Sequence, residues 1–263
     1  MICGGTDWCS FGDHAVICRR IESEKPHEDR SGNLDGWYHF YEEKQKPNIP
    51  TRKIFSKSPL LNASSLIDSW RRNTAYGILR YQAAEFGVSF QSLKALGMCW
   101  SQKDRALAFP MHDQNGICGI RLRNREGMKW AVPGSKGGIF MPDDSIEQQE
   151  MVLLPEGPTD TAAAITMGFY SWGRPNCNSG GEIIRDLIRS RGIRKAVVVS
   201  DHDEIKRNGS RPGLEGALRL KAMLGIPSVI FIPPLKDLRE YLKAGATKQM
   251  IESQLNQKVW SKK

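Results

Sequence analysis

Met151-Val152-Leu153-Leu154-Pro155-Glu156-Gly157-Pro158-Thr159-Asp160 and, further on, Ala196-Val197-Val198-Val199-Ser200-Asp201-His202-Asp203 decide how this chain is read. Each is a short apolar run that ends abruptly in acidic residues. An apolar run without alternation fits a strand buried on both faces, as in a parallel sheet covered by helices. The acids then stand where the strands emerge, the edge at which open α/β sheets bind ligands. Carboxylates gathered there repel one another unless a cation lies between them. Mg²⁺ suits such a place, because it takes a few carboxylates together with water and phosphate oxygens.

Outward from these two stretches the chain alternates. Strands are expected at Met151–Leu154, Phe169–Trp172, Ala196–Ser200 and Ser228–Ile232. Helices are expected at about Thr159–Met167, Gly181–Arg191, Gly213–Leu224 and Asp237–Ala244. This order predicts an α/β fold, a parallel sheet with helices on both faces. Upstream, Leu66, Trp70, Ala75, Leu79 and Ala83 give Leu60–Met98 a helical pattern, with Ser89 placed to cap a helix through Leu96. Ala106–Met111 and Ile117–Arg123 read as a hairpin around the Asn115-Gly116 turn, and Lys129–Val132 as a third strand. The loop Gly134-Ser135-Lys136-Gly137-Gly138 follows. The domain reading is a cysteine-containing segment at 1–20, a linker at 21–59, an α+β subdomain at 60–148, the parallel-sheet domain at 149–250 and a tail at 251–263. Within the polar linker, Trp37-Tyr38-His39-Phe40 suits either a short strand or a docking patch.

The chain has 263 residues and a net charge of +9, with 40% hydrophobic and 25% charged residues, the balance of a soluble globular protein. No apolar run approaches the ~20 residues of a membrane span. The N-terminus lacks the basic-then-apolar pattern of a secretory signal, so a cytoplasmic location is expected. The positive charge favours a polyanionic partner such as nucleic acid. Solvated helix faces explain the same charge, and composition alone does not choose.

Among the acids, Glu156 lies between a proline that ends the strand and a glycine that lets the backbone turn close to a ligand. Asp160 falls in the first turn of the next helix, where a carboxylate serves equally as a cap. Asp201 and Asp203 share one face if the strand continues, and a polar loop explains them as well. In Ile232-Pro233-Pro234-Leu235-Lys236-Asp237-Leu238, Asp237 can add a carboxylate or cap a helix, and Lys236 can meet a phosphate.

Glu-Gly-x-x-Asp, then Asp-x-Asp, then Lys-Asp, each after an apolar strand, resembles the TOPRIM domain of bacterial-type primases, topoisomerases and some nucleases. The likeness spans about residues 150–245. It implies Glu156, Asp201 and Asp203 as a Mg²⁺ (or Mn²⁺) centre, with Asp160 and Asp237 in support. Phe109-Pro110-Met111-His112-Asp113, Gly119-Ile120-Arg121-Leu122-Arg123 and Lys129-Trp130-Ala131-Val132-Pro133-Gly134-Ser135 resemble the N-terminal half of a primase core of phages and mobile elements. That implies Arg121, Arg123, Lys129 and, at the margin, Lys136 as residues contacting template or nucleotide phosphates. The alternating strand explains Arg121 and Arg123 as a solvent face too.

Cys3, Cys9, His14 and Cys18 offer four ligands for tetrahedral Zn²⁺ in a segment too short to bury a core. This stretch resembles the zinc ribbon that opens many phage-type primases. It departs from it in one respect: of the usual Cys-Pro-x-Cys pair only the second cysteine, Cys3, is present, so either the reading frame begins upstream of Met1, or His14 is the substitute ligand, or the site is degraded. The combined resemblance implies a primase making short RNA primers from ribonucleoside triphosphates on a single-stranded DNA template. A TOPRIM nuclease and a non-catalytic single-strand-DNA-binding accessory are the alternatives. No Gly-x-x-x-x-Gly-Lys-Ser/Thr loop occurs, so a cooperating replicative helicase is expected on a separate protein or elsewhere on a longer polypeptide.

Overall fold

The computed structural model describes residues 9–11, 15–19, 21–28, 34–40, 61–202 and 209–261. The chain divides into two compact units, Met1–Lys57 and Ser58–Lys263.

In the first unit, β1 (Cys9–Phe11), β2 (Ala15–Cys18), β3 (Pro26–Glu28) and β4 (Leu34–Phe40) form an antiparallel sheet in the order β1-β2-β4-β3. Cys9 stands directly opposite Cys18. Val16 and Cys18 are buried, and Arg19 pairs with Asp35 at 2.6 Å. β3 and β4 lie within the stretch read from the sequence as a linker. Trp37–Phe40 is the strand of the two alternatives, and it lies beside β2. The polar composition of 21–40 concealed this, because a small sheet exposed on much of both faces needs no sustained apolar period.

The second unit begins with α1 (Ala63–Asn73), α2 (Tyr76–Phe86) and α3 (Phe90–Ala95). Ser89 caps α3 as its position predicts, its Oγ accepting the Ser92 N–H at 3.0 Å. An antiparallel sheet of β5 (Cys99–Ser101), β6 (Ala106–Asp113), β7 (Gly116–Arg123) and β8 (Lys129–Ala131) follows in sequential order. The hairpin runs two residues further along β6 than the pattern suggested, and Gly116 leaves the turn at φ +113°, a conformation that favours glycine. Ala106, Ala108, Ile120 and Leu122 pack with Ile67 of α1 on one face. Leu107, Phe109 and Met111 face the other way, into a core shared with Phe86, Leu93, Ala162 and Ala163.

The parallel half comprises β9 (Met151–Leu154), α4 (Gly157–Thr166), α5 (Gly181–Arg191), β10 (Lys195–Val199), α6 (Pro212–Leu224), β11 (Ser228–Phe231), α7 (Leu238–Lys243) and α8 (Lys248–Asn256). The strand order is β11-β10-β9, all parallel. Ser171 and Arg174 bridge to Leu153 and Glu156, so 171–174 lies parallel to β9 on its other side. Here the expected strand Phe169–Trp172 is reduced to isolated bridges. Alternate strand residues enter opposite layers. Val152, Leu154, Ala196 and Val198 meet Ile184, Leu187 and Leu220 of α5 and α6. Leu153, Val197 and Val199 meet Ala164, Leu238, Tyr241 and Ile251 of α4, α7 and α8. Helices therefore cover both faces, as the unbroken apolar runs require. α8 occupies part of the stretch read as a tail. Thr247 caps it, and Ile251 and Leu255, one turn apart, are buried.

Candidate active site

From β9 the chain crosses through α4 to 171–174 on one side, then returns through α5 to β10 on the other. A sheet whose winding reverses in this way leaves a crevice at the carboxyl ends of its central strands. Glu156 leaves β9 at that edge, in the N-cap position of α4 with extended backbone (φ −97°, ψ 126°) and a side chain that makes no cap bond. Asp201 follows β10 by one residue beyond Ser200. The strand register sets Val198 beside Leu154, so the two acids leave neighbouring strands. Asp201, Ser200, His202 and Arg211 line a small cavity of about 90 Å³ there. Asp203 lies outside the described residues.

Arg174 stands between these acids, and the sequence reading missed it. It is 1% exposed, and its Nη2 donates to Val199 O at 2.6 Å, at the end of β10. Burial lowers the guanidinium pKa below its ordinary value, and the charges of Glu156 and Asp201 oppose that shift. A signal was present: Gly173-Arg174-Pro175 ends the apolar run Phe169–Trp172 at the same sheet edge as the acids.

Asp160 is 7% exposed on the first turn of α4. Its Oδ1 accepts the Arg239 backbone N–H at 2.8 Å. Burial, then the nearby negative charge of Asp237, push its carboxyl up to about 7, against the pull of Arg239 and Lys129. Asp237 caps α7 by accepting the Glu240 N–H at 2.7 Å, and Lys236 beside it is exposed. Asp237 is both a helix cap and a member of the acidic cluster, whereas Asp160 caps nothing in its own helix, whose N-cap is Glu156, and accepts instead from the first turn of α7.

The basic residues come from the antiparallel sheet. Arg121 stands opposite Phe109 and Ala131, and Arg123 opposite Leu107 and Lys129. Residues opposite each other in an antiparallel pair share a face. All three cations therefore share the Leu107–Phe109 face, which packs toward α4; Arg121 and Arg123 are half-buried there, and Lys129 is exposed at its edge. Arg123 lies 5.3 Å from the centre of the Phe86 ring, and Arg239 6.0 Å from the same ring. Burial and the neighbouring Arg239 lower the Arg123 pKa from its ordinary value, while Asp160 and Asp237 oppose the change. A cavity of about 260 Å³ is lined here by Phe86, Trp100, Arg123, Arg125 and Arg239. Lys136 is set apart, its backbone bonded to Cys118 O at 3.0 Å near the opposite end of β7.

Among the described residues no three Asp, Glu, His or Cys side chains form a ready metal cage. Magnesium does not need one, since one or two carboxylates with water and substrate phosphates suffice. Glu156 and Asp201 fit that donor set, whereas the raised pKa of Asp160 comes first from its burial and then from Asp237. In the first unit, Cys3 and His14 lie outside the described residues, as does the side chain of Cys9. Only the Cys9–Cys18 pairing across β1 and β2 bears on a zinc site.

No protein-family model matches the sequence, and no curated protein does. Solved structures match in fold. The Aquifex aeolicus primase (zinc-binding and RNA polymerase domains) superposes with a TM-score of 0.58 at 13% identity, over 76% of this chain and 60% of that one. The DnaG primase catalytic domain bound to single-stranded DNA gives 0.57 at 12% identity, over 74% and 79%. A chain from a bacteriophage T7 assembly, in which lagging-strand DNA polymerase meets primase domains bound to an RNA/DNA hybrid and dTTP, gives 0.52 at 14%, over 64% and 87%. The chain thus has the mixed α/β fold of bacterial and phage primase catalytic cores.

Proposed function

We propose that this chain is a primase of the bacterial and phage type, which joins ribonucleotides into short primers on single-stranded DNA in replication. The observation that carries this reading is one juxtaposition. The acidic crevice at the ends of β9 and β10 and the basic face of β7 and β8 belong to one unit, with Asp160 and Asp237 electrostatically coupled to Arg123. A carboxylate cluster facing arginines suits a reaction in which phosphates must be held and their charge neutralised. The matching structures, among them a primase catalytic domain bound to single-stranded DNA and an assembly bound to an RNA/DNA hybrid and dTTP, support the same substrate class.

In this reading the parallel half is a TOPRIM domain. Glu156, Asp201 and Asp203 would hold Mg²⁺ or Mn²⁺, with Asp160 and Asp237 as supporting acids. The bound metal would supply charge neutralisation at the reacting phosphate and a lowered pKa for the attacking hydroxyl. The chain's own residues do the positioning. Arg123 and Lys129, side by side, bind template or nucleotide phosphates, with Arg121 two residues along the same face. Trp100, half-buried in the wall of the cavity that Arg123 lines, offers a ring on which a base can stack. Arg174 keeps the ends of β9 and β10 in register through Val199 O. Thiolates on paired strands suit tetrahedral Zn²⁺, and Cys3, Cys9, His14 and Cys18 would supply it in the N-terminal unit.

Primer synthesis on single-stranded DNA, with ribonucleoside triphosphates and Mg²⁺, tests this. The Asp201→Asn protein should lose product by at least 100-fold while still binding the template. Equal product from both proteins ends the proposal, and cleavage of labelled DNA without nucleotides replaces it with hydrolysis.

A further inference from the structure

A third cavity, of about 400 Å³, opens on the α5–α6 side of the sheet. It is lined by Arg174, Asn178, Ser179, Gly180, Gly181 and Arg219, among others. No residue singled out in the sequence lies in it. Three observations give it one chemistry.

The first is the head of α5, an 11-residue helix. Its first internal bond runs from the Ile184 N–H to Gly180 O at 2.9 Å. The N–H groups of Gly181, Glu182 and Ile183 therefore have no partner within the helix, and Gly180 supplies no capping side chain. With the helix dipole behind them, such groups attract an anion.

The second is Arg174, which lines the cavity at 1% exposure. Its Nη atoms are engaged by Val199 O and, at 3.4 Å, by Cys177 O, but its Nε is buried and meets no acceptor. A buried guanidinium N–H without an acceptor is costly, and an anionic oxygen satisfies it. The third is the opposite wall. Arg219 of α6 brings a second guanidinium and is hydrogen-bonded to Asn178 Oδ1. α6 can lie this close because Gly216 has no side chain: a Cβ there would fall 2.3 Å from Cys177 O. Glu182 also lines the cavity and opposes an anion, but two guanidinium groups and three backbone N–H groups outweigh it.

We propose that this cavity is a phosphate-binding site, distinct from the acidic crevice and joined to it through Arg174. A ligand can bring the phosphate as a free polyphosphate, such as pyrophosphate or a nucleotide tail, or as part of a single-stranded nucleic-acid backbone. Only the choice of these two sources rests on the primase reading.

The test uses the full chain in EDTA, so that carboxylate-held metal plays no part. Inorganic pyrophosphate is titrated by calorimetry in one arm, and a fluorescent oligodeoxythymidylate by anisotropy in the other. Arg219→Glu reverses one wall charge on an exposed position. Ser179→Asp places a carboxylate at the head of α5 without disturbing the core. Asp201→Asn is the control that should abolish primer synthesis. The expected result is binding by wild-type protein in at least one arm, weakened at least 10-fold by Arg219→Glu and by Ser179→Asp, and kept by Asp201→Asn. Loss in the pyrophosphate arm identifies a polyphosphate site, and loss in the oligonucleotide arm alone identifies a backbone site. Absence of wild-type binding in both arms, or binding indifferent to both cavity variants, overturns the proposal. Because Asp201→Asn reads the acidic crevice separately, failure of the primase reading leaves this result interpretable.

Discussion

The Arg239 backbone N–H and the Asp160 carboxylate meet at 2.8 Å, although 79 positions separate them in the chain. This bond ties the first turn of α4 to the first turn of α7 and holds an acid in a place where its charge is poorly solvated. The unfolded chain ionises this acid near 3.8, whereas the folded one does so near 7. Below 3.8 both states are protonated and the group is neutral toward stability. As pH rises toward 7, the unfolded state ionises first and gains, and above 7 the penalty on the folded state is complete. Asp160→Asn keeps an oxygen for the Arg239 N–H and removes the penalty. In EDTA, the variant should be more stable than wild type above pH 7, by on the order of a few kcal/mol, with the difference vanishing below pH 4. Thermal denaturation of both proteins across that range checks this, and an advantage that grows toward low pH contradicts it.

Arg174 supports a second prediction. Replacing it with Met keeps the volume but leaves Val199 O without its 2.6 Å donor, at a cost of about 1–3 kcal/mol. The variant also takes a positive charge away from Glu156 and Asp201. Divalent cations should then raise the melting temperature of Arg174→Met by more than they raise that of wild type. A variant that melts with wild type and responds equally to Mg²⁺ would show that Arg174 does neither task.

Gly173 supports a third. A Cβ on it would fall 2.1 Å from Thr161 Oγ1 and 2.9 Å from Gly157 O, at the point where the 171–174 segment lies against the start of α4. Neither neighbour can yield easily, since Gly157 O is backbone and Thr161 Oγ1 is hydrogen-bonded to it at 2.7 Å. Gly173→Ala should therefore destabilise the protein by about 1–3 kcal/mol and reduce primer synthesis through displacement of Glu156. Gly127→Ala tests backbone strain separately, since that glycine has positive φ (+87°) but open space around it.

The features legible in the sequence were those decided locally. Unbroken apolar runs require two covered faces, so Met151–Leu154 and Ala196–Val199 announced a parallel sheet before any contact was known. Ser89 announced its helix because a hydroxyl at that point has one strong use. The placement of Glu156 and Asp201 at neighbouring strand ends was legible because each follows an unbroken apolar run. Arg174 closes an apolar run at the same edge, but its burial was not legible, because only the crossing from α5 back to β10 puts Val199 O within its reach. The side of the sheet that Arg121 and Arg123 occupy was equally hidden. Alternation shows that they share a face, and only the packing of Leu107 and Phe109 on α4 shows which. Strand β3 and the first residues of β4 escaped because small, half-exposed sheets carry no apolar period, whereas the strand at Trp37–Phe40 was one of the two readings of its stretch.

That shared face supplies the last prediction. Arg123 and Lys129 are direct cross-strand neighbours beside the acidic cluster, whereas Lys136 lies near Cys118, at the opposite end of β7. If Arg123 and Lys129 each neutralise one template phosphate, binding of single-stranded DNA releases counterions in proportion. The slope of log affinity against log salt should then fall in magnitude by about 0.7 for Arg123→Ala and by about 0.7 for Lys129→Ala. Lys136→Ala should change the slope less than either. Anisotropy titrations with an oligodeoxythymidylate at several salt concentrations measure all four slopes. Equal slopes for wild type and both groove variants would mean that this face meets something other than the nucleic-acid backbone.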